Sequence, residues 1–352
     1  MNANLPSGTM PVEERHRIDE AALATWLTAH VPGYEGPLSV LQFKGGQSNP
    51  TYRLNTPRQS YVLRRKPFGK LLPSAHAVDR EFRVISGLHA QSFAVPRPYA
   101  LCTDDSVIGS AFYVMDMVEG RVLWNGAVPD ASPSERAAIY ESMISTLAKL
   151  HQFDPAQIGL ADYGKPGNYF ARQIDRWTKQ YRASETEKNE AAERLIEFLP
   201  RTVPAQERTS IVHGDYRIDN MVFAPSEPRV VAVLDWELST LGDPLADFTY
   251  FLVNWMLPQD GRACLGGADL KALGIPSLEQ IAARYCALTG RSGIPDLNWY
   301  FAYNLFRFTA ILQGIAGRMR DGTASSARAA ESVARIPALS KAALDFAIKA
   351  GA

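Results

Sequence analysis

The sequence predicts an α+β chain with a small, β-rich N-terminal lobe and a larger, mostly helical C-terminal lobe. Two observations carry this prediction. Strand-like runs and turn residues are concentrated in residues 38–118, with one long helical pattern among them. From residue 133 onward helical periodicity dominates, interrupted by a compact group of short apolar runs in residues 211–234. A length of 352 residues is sufficient for two such units.

The N-terminal elements are predicted from periodicity and from the residues that break it. A short amphipathic helix ends at Pro32 and Gly33, and the polar segment Gly45 to Pro50 separates two strand-like runs, so we expect a hairpin there. Ser74 is a suitable N-cap for the long helix of this lobe. The predicted helices are 19–30 and 74–90, and the predicted strands are 38–44, 51–55, 60–65, 99–102 and 111–118.

The C-terminal lobe is predicted from seven helical patterns around three short strands. The predicted helices are 133–151, 168–183, 187–199, 244–256, 277–289, 296–317 and 324–350, and the strands are 211–212, 221–224 and 230–234. We therefore divide the chain into an N-terminal lobe over residues 1–115, a hinge over 116–120 and a helical lobe over 121–352. Residues 1–17, rich in Pro, Gly and polar residues, are predicted to be a loose tail.

Composition excludes several classes of function. The 37 basic and 37 acidic residues balance, without a long basic run, so we expect no nucleic-acid partner. No stretch approaches 18 apolar residues, and the start lacks a secretory pattern, so we expect no membrane segment and a cytoplasmic location. The three cysteines are scattered and do not form a metal-binding spacing.

The most informative segment is His213-Gly214-Asp215-Tyr216-Arg217-Ile218-Asp219-Asn220, which lies between two short apolar runs. Another polar residue, Asp235, directly follows the apolar run Val230 to Leu234. Phosphoryl transfer needs a carboxylate that orients a hydroxyl and accepts its proton, and oxygen ligands that hold Mg²⁺ against nucleotide phosphates. Asp215, Asn220 and Asp235 supply these groups. Aspartate and asparagine are also common turn residues, so the joint pattern is what favours chemistry.

This segment resembles the catalytic loop of the aminoglycoside phosphotransferase family, which includes choline-kinase-like and homoserine-kinase-like enzymes and uses His-Gly-Asp where protein kinases use His-Arg-Asp. The resemblance implies a bilobal protein-kinase-like fold. It implies Asp215 as the catalytic base and Asn220 and Asp235 as Mg²⁺ ligands. Arg217 stands where protein kinases carry a loop lysine, and we expect it to contact the γ-phosphate. Asp243 and Asp247 are expected to be structural: a helix begins here with Pro244 in its first turn, and an aspartate braces the catalytic loop.

The resemblance also implies which residues bind the nucleotide, with ATP or GTP as co-substrate. Ser48 and Asn49, in the turn between the first two strands, are the candidates for phosphate contact. Arg64 occupies the place of the kinase strand lysine and Glu81 that of its helix partner; Arg65 or Lys66 remain alternatives for the basic residue. The hinge strand places four residues at the base pocket: Met115, Asp116, Met117 and Val118.

The acceptor is predicted to be a small molecule with a hydroxyl group. The run Leu71 to His76 is similar to the branch that is fused to acyl-CoA dehydrogenases in some large proteins, and this branch implies a hydroxyacyl-CoA. Candidate acceptor contacts are Tyr303, Arg307 and Arg318, since the two arginines are 11 residues apart and share a helix face. They are equally suited to bracing neighbouring helices.

Three other functions stay open at this point. Aminoglycosides, choline and homoserine are alternative acceptors, although the arginines disfavour a polycation. A protein kinase is disfavoured because only about eight residues separate Asp235 from Asp243, which leaves little room for an activation loop. A non-catalytic nucleotide-binding module is the third. The choice between ATP and GTP and the oligomeric state are not predicted.

Overall fold

The N-terminal lobe is built on a six-stranded antiparallel sheet. In the computed structural model, which describes residues 8–44, 49–67, 77–259, 262–323 and 327–352, the strand order is β1-β2-β3-β4-β6-β5. The strands are β1 (Thr9–Met10), β2 (Ser39–Phe43), β3 (Thr51–Asn55), β4 (Ser60–Arg65), β5 (Pro98–Cys102) and β6 (Phe112–Asp116).

A helix covers each face of this sheet, because alternate strand residues are apolar on both sides. Helix α1 (Glu20–His30) begins at Asp19, whose side chain caps the Ala22 N–H at 2.9 Å. It buries Leu23 and Leu27 against the outer face of the sheet. Helix α2 (Val78–Ala90) lies on the inner face, and its apolar residues join a core that is continuous with the second lobe.

The C-terminal lobe is helical around two small strand pairs. Its helices are α3 (Pro133–Leu150), α4 (Tyr169–Ser184), α5 (Glu190–Phe198), α6 (Leu245–Leu252), α7 (Leu270–Leu273), α8 (Leu278–Thr289), α9 (Leu297–Arg320), α10 (Ala327–Val333) and α11 (Ile336–Lys349). Helix α9 is the central element: almost all of its first half is buried, and α4 and α11 pack against it. Within the described ranges, none of the helices has the length and apolarity needed to cross a membrane.

The two strand pairs carry the polar loops of this lobe. Strands β7 (Ser210–Val212) and β10 (Thr240–Gly242) pair antiparallel, as do β8 (Met221–Phe223) and β9 (Val230–Val233). The loop that contains Asp215 connects β7 to β8, and Asp235 follows β9. The pairing therefore brings two chain segments that are about twenty residues apart to one edge of the lobe.

The predicted α+β, bilobal class is confirmed, and most predicted elements lie within two residues of the observed ones. Three predictions need correction. Helix α2 begins at Val78 after Ala77, and Ser74 lies outside the described residues. The last predicted helix is two helices, α10 and α11. Short elements were missed: β1, β10 and α7.

The predicted loose tail is wrong for residues 8–17. Strand β1 pairs with β2, the Glu13 N–H donates to Oε1 of Gln42 at 3.1 Å, and the Tyr52 hydroxyl donates to the carbonyl of His16 at 2.8 Å. These bonds satisfy an otherwise open sheet edge. The predicted division into lobes and hinge stays a prediction; β6 ends at Asp116, and Arg121 already pairs with Phe223 of the second lobe.

Candidate active site

A cleft of about 420 Å³ lies between the inner face of the sheet and the second lobe. Six of the residues predicted to bind nucleotide or metal line it: Arg64, Met115, Asp116, Met117, Val118 and Asp235. Gly120 is at its wall, and a Cβ there would lie 2.2 Å from the carbonyl oxygen of Phe223, so only glycine permits this close approach. A volume of this size is typical of a pocket for a small ligand.

The loop that carries Asp215 is anchored from beneath by Asp247 of α6. The buried Asp247 carboxylate accepts the backbone N–H groups of His213, at 2.5 Å, and Gly214, at 2.7 Å. Burial raises the pKa of Asp247, but hydrogen bonds and charge from His151 and the Gly214 N–H outweigh it, so the pKa lies below its ordinary value. The predicted bracing role agrees with these bonds.

Gly214 is required by the shape of this loop. Its φ is +87°, and a Cβ would lie 2.8 Å from the carbonyl oxygen of Leu238. On the other side, Arg307 of α9 donates from Nη2 to the Gly214 carbonyl at 2.8 Å. The loop backbone is thus held on both sides, which fixes the direction of the next side chain, Asp215.

The Asp215 carboxylate is held by three neighbours and remains partly open to the solvent. The Tyr250 hydroxyl donates to Oδ1 at 2.5 Å, Nδ2 of Asn220 donates to Oδ2 at 2.9 Å, and Nε of Arg217 lies 3.4 Å from Oδ1. Burial raises the pKa of Tyr250, so this tyrosine stays a neutral donor. A carboxylate with a fixed orientation and about a quarter of its side chain exposed can reach a substrate proton.

Asn220 connects Asp215 to Asp235. Its Nδ2 donates to both the carbonyl and the carboxylate of Asp215 at 2.9 Å, which leaves the amide oxygen as an acceptor. Its carbonyl accepts the Leu234 N–H at 2.8 Å, continuing the pairing of Met221 with Val233. The structure therefore places the three predicted residues in one cluster, with Asp235 one residue beyond the Asn220–Leu234 bond.

The donor set of this cluster fits Mg²⁺. In the part of the chain that the structure describes, no group of three or more His, Cys, Asp or Glu residues is arranged to hold a metal ion. The Asn220 amide oxygen and the Asp235 carboxylate are instead two hard oxygen donors. Mg²⁺ is commonly held by one or two protein carboxylates while phosphates and water complete its shell. The residues present therefore suit a metal that arrives with nucleotide phosphates.

Arg64 of β4 points into the cleft and bridges the two lobes. Its Nε lies 3.0 Å from Oε2 of Glu81 on α2, and its Nη2 lies 3.2 Å from Oδ1 of Asp235. Burial lowers the pKa of Arg64, but these carboxylates outweigh it, so the guanidinium pKa stands above its ordinary value. Glu81 also accepts the Tyr113 hydroxyl at 3.1 Å. The predicted pairing of a strand cation with a helix glutamate agrees with this geometry.

The alternatives to Arg64 point elsewhere. Arg65 is fully buried on the other face of the sheet and lies over the Tyr52 ring at 5.7 Å. Lys66 lies beyond the strand, with Nζ 3.8 Å from Asp79. Strand alternation explains this, because neighbouring side chains face opposite sides. Arg64 is thus the member of the three that lines the cleft.

The predicted phosphate contact by Asn49 is wrong for its side chain. Asn49 is fully buried, and its Nδ2 donates to Oε1 of Glu81 at 2.8 Å. A buried carboxylate needs donors, and Asn49 supplies one. It therefore supports the Arg64–Glu81 pair rather than the phosphate-facing surface. Ser48 lies outside the described residues.

Alternation along β6 also divides the hinge residues. Met115 faces the cleft, whereas the carboxylate of Asp116 accepts the Tyr99 hydroxyl at 2.5 Å on the outer face. Burial and this hydrogen bond raise the pKa of Tyr99 to about 12. The Asp116 side chain is thus occupied outside the cleft, and its contribution to a ligand would come from the backbone. Met117 and Val118 follow along the cleft wall.

The predicted acceptor residues separate in the structure. Tyr303 is buried in an aromatic cluster, with its ring parallel to that of Trp299 and edge-on to Phe170, so the prediction that it contacts the acceptor is wrong. Arg307 is buried and braces the catalytic loop through Gly214. Arg318 is exposed, about 16 Å further along α9. Of the three, Arg318 alone presents its charge to solvent.

Sequence reasoning missed Tyr250, Tyr113 and a role for Asp219. Tyr250 lies in the apolar helix Leu245–Leu252, where a tyrosine gives no signal of its function. Asp219 lines the cleft, and its carboxylate accepts a hydrogen bond from Nη2 of Arg217 at 2.8 Å. Arg217 therefore contacts two carboxylates, those of Asp215 and Asp219. The repetition of aspartate at 215 and 219 around Arg217 was the available sequence signal.

Comparison with known proteins identifies the family. Residues 39–287 match the phosphotransferase enzyme family. This chain belongs to that family. A crystal structure of a provisionally named aminoglycoside phosphotransferase from Ralstonia eutropha is 50% identical, with a TM-score of 0.88, and the match covers 95% of this chain and 99% of that one. The enzyme class is therefore phosphotransferase.

The curated relatives are larger proteins. Acyl-CoA dehydrogenase family member 10 of Mus musculus is 43% identical over 97% of this chain, and family member 11 of Homo sapiens is 41% identical over 89%. The chain spans 32% and 41% of the length of these two proteins.

A more distant likeness extends the fold. Aminoglycoside phosphotransferase APH(4)-Ia, in a ternary complex with AMP-PNP and hygromycin B, is 15% identical with a TM-score of 0.60, and the match covers 94% of this chain and all of that one. At this identity the likeness shows the fold alone. The protein-kinase-like fold that was predicted for this chain is confirmed.

Proposed function

We propose that this phosphotransferase is a small-molecule kinase that transfers the γ-phosphoryl group of ATP, or GTP, to a hydroxyl group of a metabolite. One observation carries the proposal. The Asp215 carboxylate is held by Tyr250 and Asn220 while Asn220 is bonded to the residue before Asp235, at a cleft that Arg64 and the hinge strand line. A base and two metal ligands thus meet beside a nucleotide-sized space.

The proposed roles follow from the positions of the polar groups. The acceptor oxygen attacks the γ-phosphorus, the bond to the β,γ-bridging oxygen breaks, and the acceptor proton passes to Asp215. Asn220 and Asp235 would hold Mg²⁺, which neutralises phosphate charge. Arg217, which lies 3.4 Å from Asp215, is the cation for the transferring group. Arg64, fixed by Glu81, is the cation for the other phosphates.

The backbone of residues 115–118 is our candidate for binding the purine. The Asp116 side chain is bonded to Tyr99 on the outer face, so main-chain groups are what this strand presents toward the cleft. Main-chain donors and acceptors can serve either purine, and the AMP-PNP bound in the APH(4)-Ia structure supports ATP. We propose ATP as the first nucleotide to test and GTP as the second.

A hydroxyacyl-CoA is the acceptor class that we propose. The curated relatives carry acyl-CoA in their names, and the surface beside Asp215 suits an acyl chain. The Phe308 ring stacks on Tyr250 at 5.5 Å, and Tyr250 bonds Asp215. From Phe308 onward, the half-exposed side chains of α9 are apolar and recur every three or four residues: Phe308, Ile311, Leu312, Ile315 and Met319.

The basic group near the end of this apolar stripe is consistent with an anionic acceptor. Arg318 is exposed beside Met319, at the far end of the stripe from Asp215. An acyl chain along the stripe would bring a phosphate of coenzyme A toward a basic end of the helix. Dehydrogenase activity is not part of this proposal, because the chain corresponds to 32% and 41% of the length of those relatives and residues 39–287 match the phosphotransferase family.

The test is nucleotide consumption against a panel of hydroxylated acceptors: hydroxyacyl-CoAs, choline, homoserine, sugars and aminoglycosides. We expect turnover with a hydroxyacyl-CoA, and a fall of about 100-fold or more in Asp215→Ala, because general-base catalysis contributes about 10²–10⁴. Asp345→Ala, on the exposed face of α11, is the matched control and should retain wild-type turnover.

Three outcomes would contradict parts of the proposal. Wild-type turnover by Asp215→Ala would show that Asp215 is not the catalytic base. Turnover with an aminoglycoside or choline but with no hydroxyacyl-CoA would show that the proposed acceptor class is wrong. Tight nucleotide binding without turnover across the whole panel would favour a non-catalytic nucleotide-binding module.

A further inference from the structure

The N-terminal segment of residues 8–17, here called the strap, is attached to the sheet that forms one wall of the cleft. Its strand β1 pairs with β2, with Thr9 opposite Phe43 and Met10 opposite Gln42. The Lys44 N–H donates to the carbonyl of Gly8 at 3.2 Å, which holds the first residue of the strap at the same edge. In its second half, the Glu13 N–H donates to Gln42 and the His16 carbonyl accepts the Tyr52 hydroxyl.

The pairing registers place Thr9 in one cross-strand row with Arg64. Thr9 is opposite Phe43; the register of β2 with β3 brings Phe43 beside Thr51; Thr51 is opposite Arg64. Side chains that are directly opposite in antiparallel strands lie on the same face of the sheet. Three strand spacings separate Thr9 from Arg64, or about 14 Å.

The whole row faces the cleft. Each of its members lines the cavity, and so does Tyr113, which is opposite Arg64 on the next strand: Thr9, Phe43, Thr51, Arg64 and Tyr113. Gly8 lines it as well, and Val122 and Trp124 line it from the second lobe. Thr9 thus occupies the end of the cleft that lies away from Arg64.

We propose that the strap is part of the nucleotide-binding site, and that Thr9 contacts the bound nucleoside triphosphate. This inference rests on the proposed function, because it takes the cleft to be the nucleotide site. The physical reason is the row itself: a ligand that extends along the cleft ceiling from Arg64 across β3 and β2 meets Thr9 on the same face. The alternative is that β1 only closes the sheet edge, which would require no contact between Thr9 and the ligand.

A pair of charge substitutions separates these alternatives. Thr9→Glu should weaken Mg–AMP-PNP binding by well over tenfold, because a carboxylate in contact with the anionic ligand exceeds the roughly tenfold effect of one unit charge about 12 Å away in an effective dielectric of about 20. Thr9→Arg should change the affinity in the opposite direction, since the ligand is anionic. A purely structural role would limit each change to about tenfold or less, or would make both substitutions act alike. Binding is measured by titration calorimetry without an acceptor.

Thr25→Glu is the matched control. It is the same substitution at an exposed position of α1, which packs on the opposite face of the sheet, so it should leave the affinity at the wild-type value. Deletion of residues 1–12 should weaken binding at least as much as Thr9→Glu, and its melting temperature reports any loss of fold.

The outcomes distinguish the inference from the proposed function. If the wild-type protein binds no purine nucleotide with Mg²⁺, the proposed function fails. If it binds but both Thr9 variants keep wild-type affinity, the role of the strap is overturned and the proposed function stands.

Discussion

Replacing Asp247 with asparagine tests whether the catalytic loop is positioned from below. The carboxylate accepts two backbone N–H groups, from His213 at 2.5 Å and Gly214 at 2.7 Å. An asparagine side chain in its place would keep one acceptor oxygen and turn an NH₂ group toward the other N–H. The loss of one charge-assisted bond costs about 1.5–3 kcal/mol, and the buried unpaired donor costs about 1–3 kcal/mol more. We take about 3–5 kcal/mol as the expected loss in the free energy of unfolding.

This loss corresponds to a shift of about 4–7 °C in melting temperature, because unfolding entropy is roughly 2.1 cal/mol/K per residue over 352 residues. The shift should narrow below about pH 4. The folded pKa of Asp247 is depressed, so its contribution is present above the unfolded pKa and is lost as pH falls through the folded pKa. Calorimetry at pH 7 and at about pH 3 measures both effects.

The same substitution should reduce turnover. A displaced Asp215 loses alignment with the acceptor, and misplacement by about 1 Å can cost around 100-fold. We expect kcat to fall about 10–100-fold, measured well below the melting temperature of the variant, with the nucleotide KM within threefold. Asp269→Asn is the control: this exposed aspartate caps α7 through the Ala272 N–H at 3.0 Å, and asparagine caps equally well. A stable, fully active Asp247→Asn variant would refute the bracing argument.

Four further predictions concern the loop, the ion pair and a buried acid. Gly214→Ala should lower kcat by about 100-fold, because a Cβ would stand 2.8 Å from a carbonyl oxygen at a φ of +87°; Gly293→Ala, with open space around it, should be neutral in the same assay. Arg64→Ala should reduce the free energy of unfolding by about 3–5 kcal/mol in chemical denaturation, since Glu81 would be buried without a cation, and equal stability would contradict the pairing. Arg64→Lys should instead weaken nucleotide binding by about tenfold, measured by calorimetry, because one ammonium cannot hold two carboxylates in a fork. Burial raises the pKa of Asp243 to about 6, so ionisation costs the folded state about 3 kcal/mol between pH 4 and 7. The melting temperature of Asp243→Asn, relative to that of the wild type, should therefore increase as pH rises across that window. A difference in melting temperature that does not change with pH would contradict the raised pKa of Asp243.

Much of the fold was predictable from local pattern. The strands Thr51–Asn55 and Ser60–Arg65 have the predicted bounds, because each is a short run with strand-favouring residues between segments that contain a proline. Helix α3 begins at the predicted Pro133, preceded by a serine cap. The strands Thr9–Met10 and Thr240–Gly242 were not predictable, since two or three residues carry no periodicity and their strand conformation comes from a partner elsewhere in the chain.

The candidate site was predictable where residue type and chemistry coincide. Asp215, Asn220 and Asp235 have the oxygen groups that phosphoryl transfer needs, and the structure brings them together. Arg64 could not be separated from Arg65 by sequence, because neighbouring basic residues differ in which face of a strand they occupy. That difference depends on the register of β4 in the sheet.

The acceptor prediction shows where helical spacing is insufficient. Tyr303 and Arg307 lie on a helix of apolar residues, and their polarity suggested a ligand. Their surroundings are set by neighbours from other elements: aromatic rings enclose Tyr303, and the carbonyl of Gly214 takes the Arg307 guanidinium. Buried polar groups find partners inside the protein, and sequence does not show which partner is near.

The sequence by itself determined the two-lobed α+β organisation, the loop chemistry of Asp215 and Asn220, and the family to which the chain is similar. These depend on residue types at short spacing, which are visible along one chain. Only the tertiary structure decided that Asn49 supports Glu81, that Tyr250 orients Asp215 and that Thr9 shares a row with Arg64. Each of these depends on contacts between segments far apart in the chain, and long-range pairing is formed by packing and register rather than by local propensity.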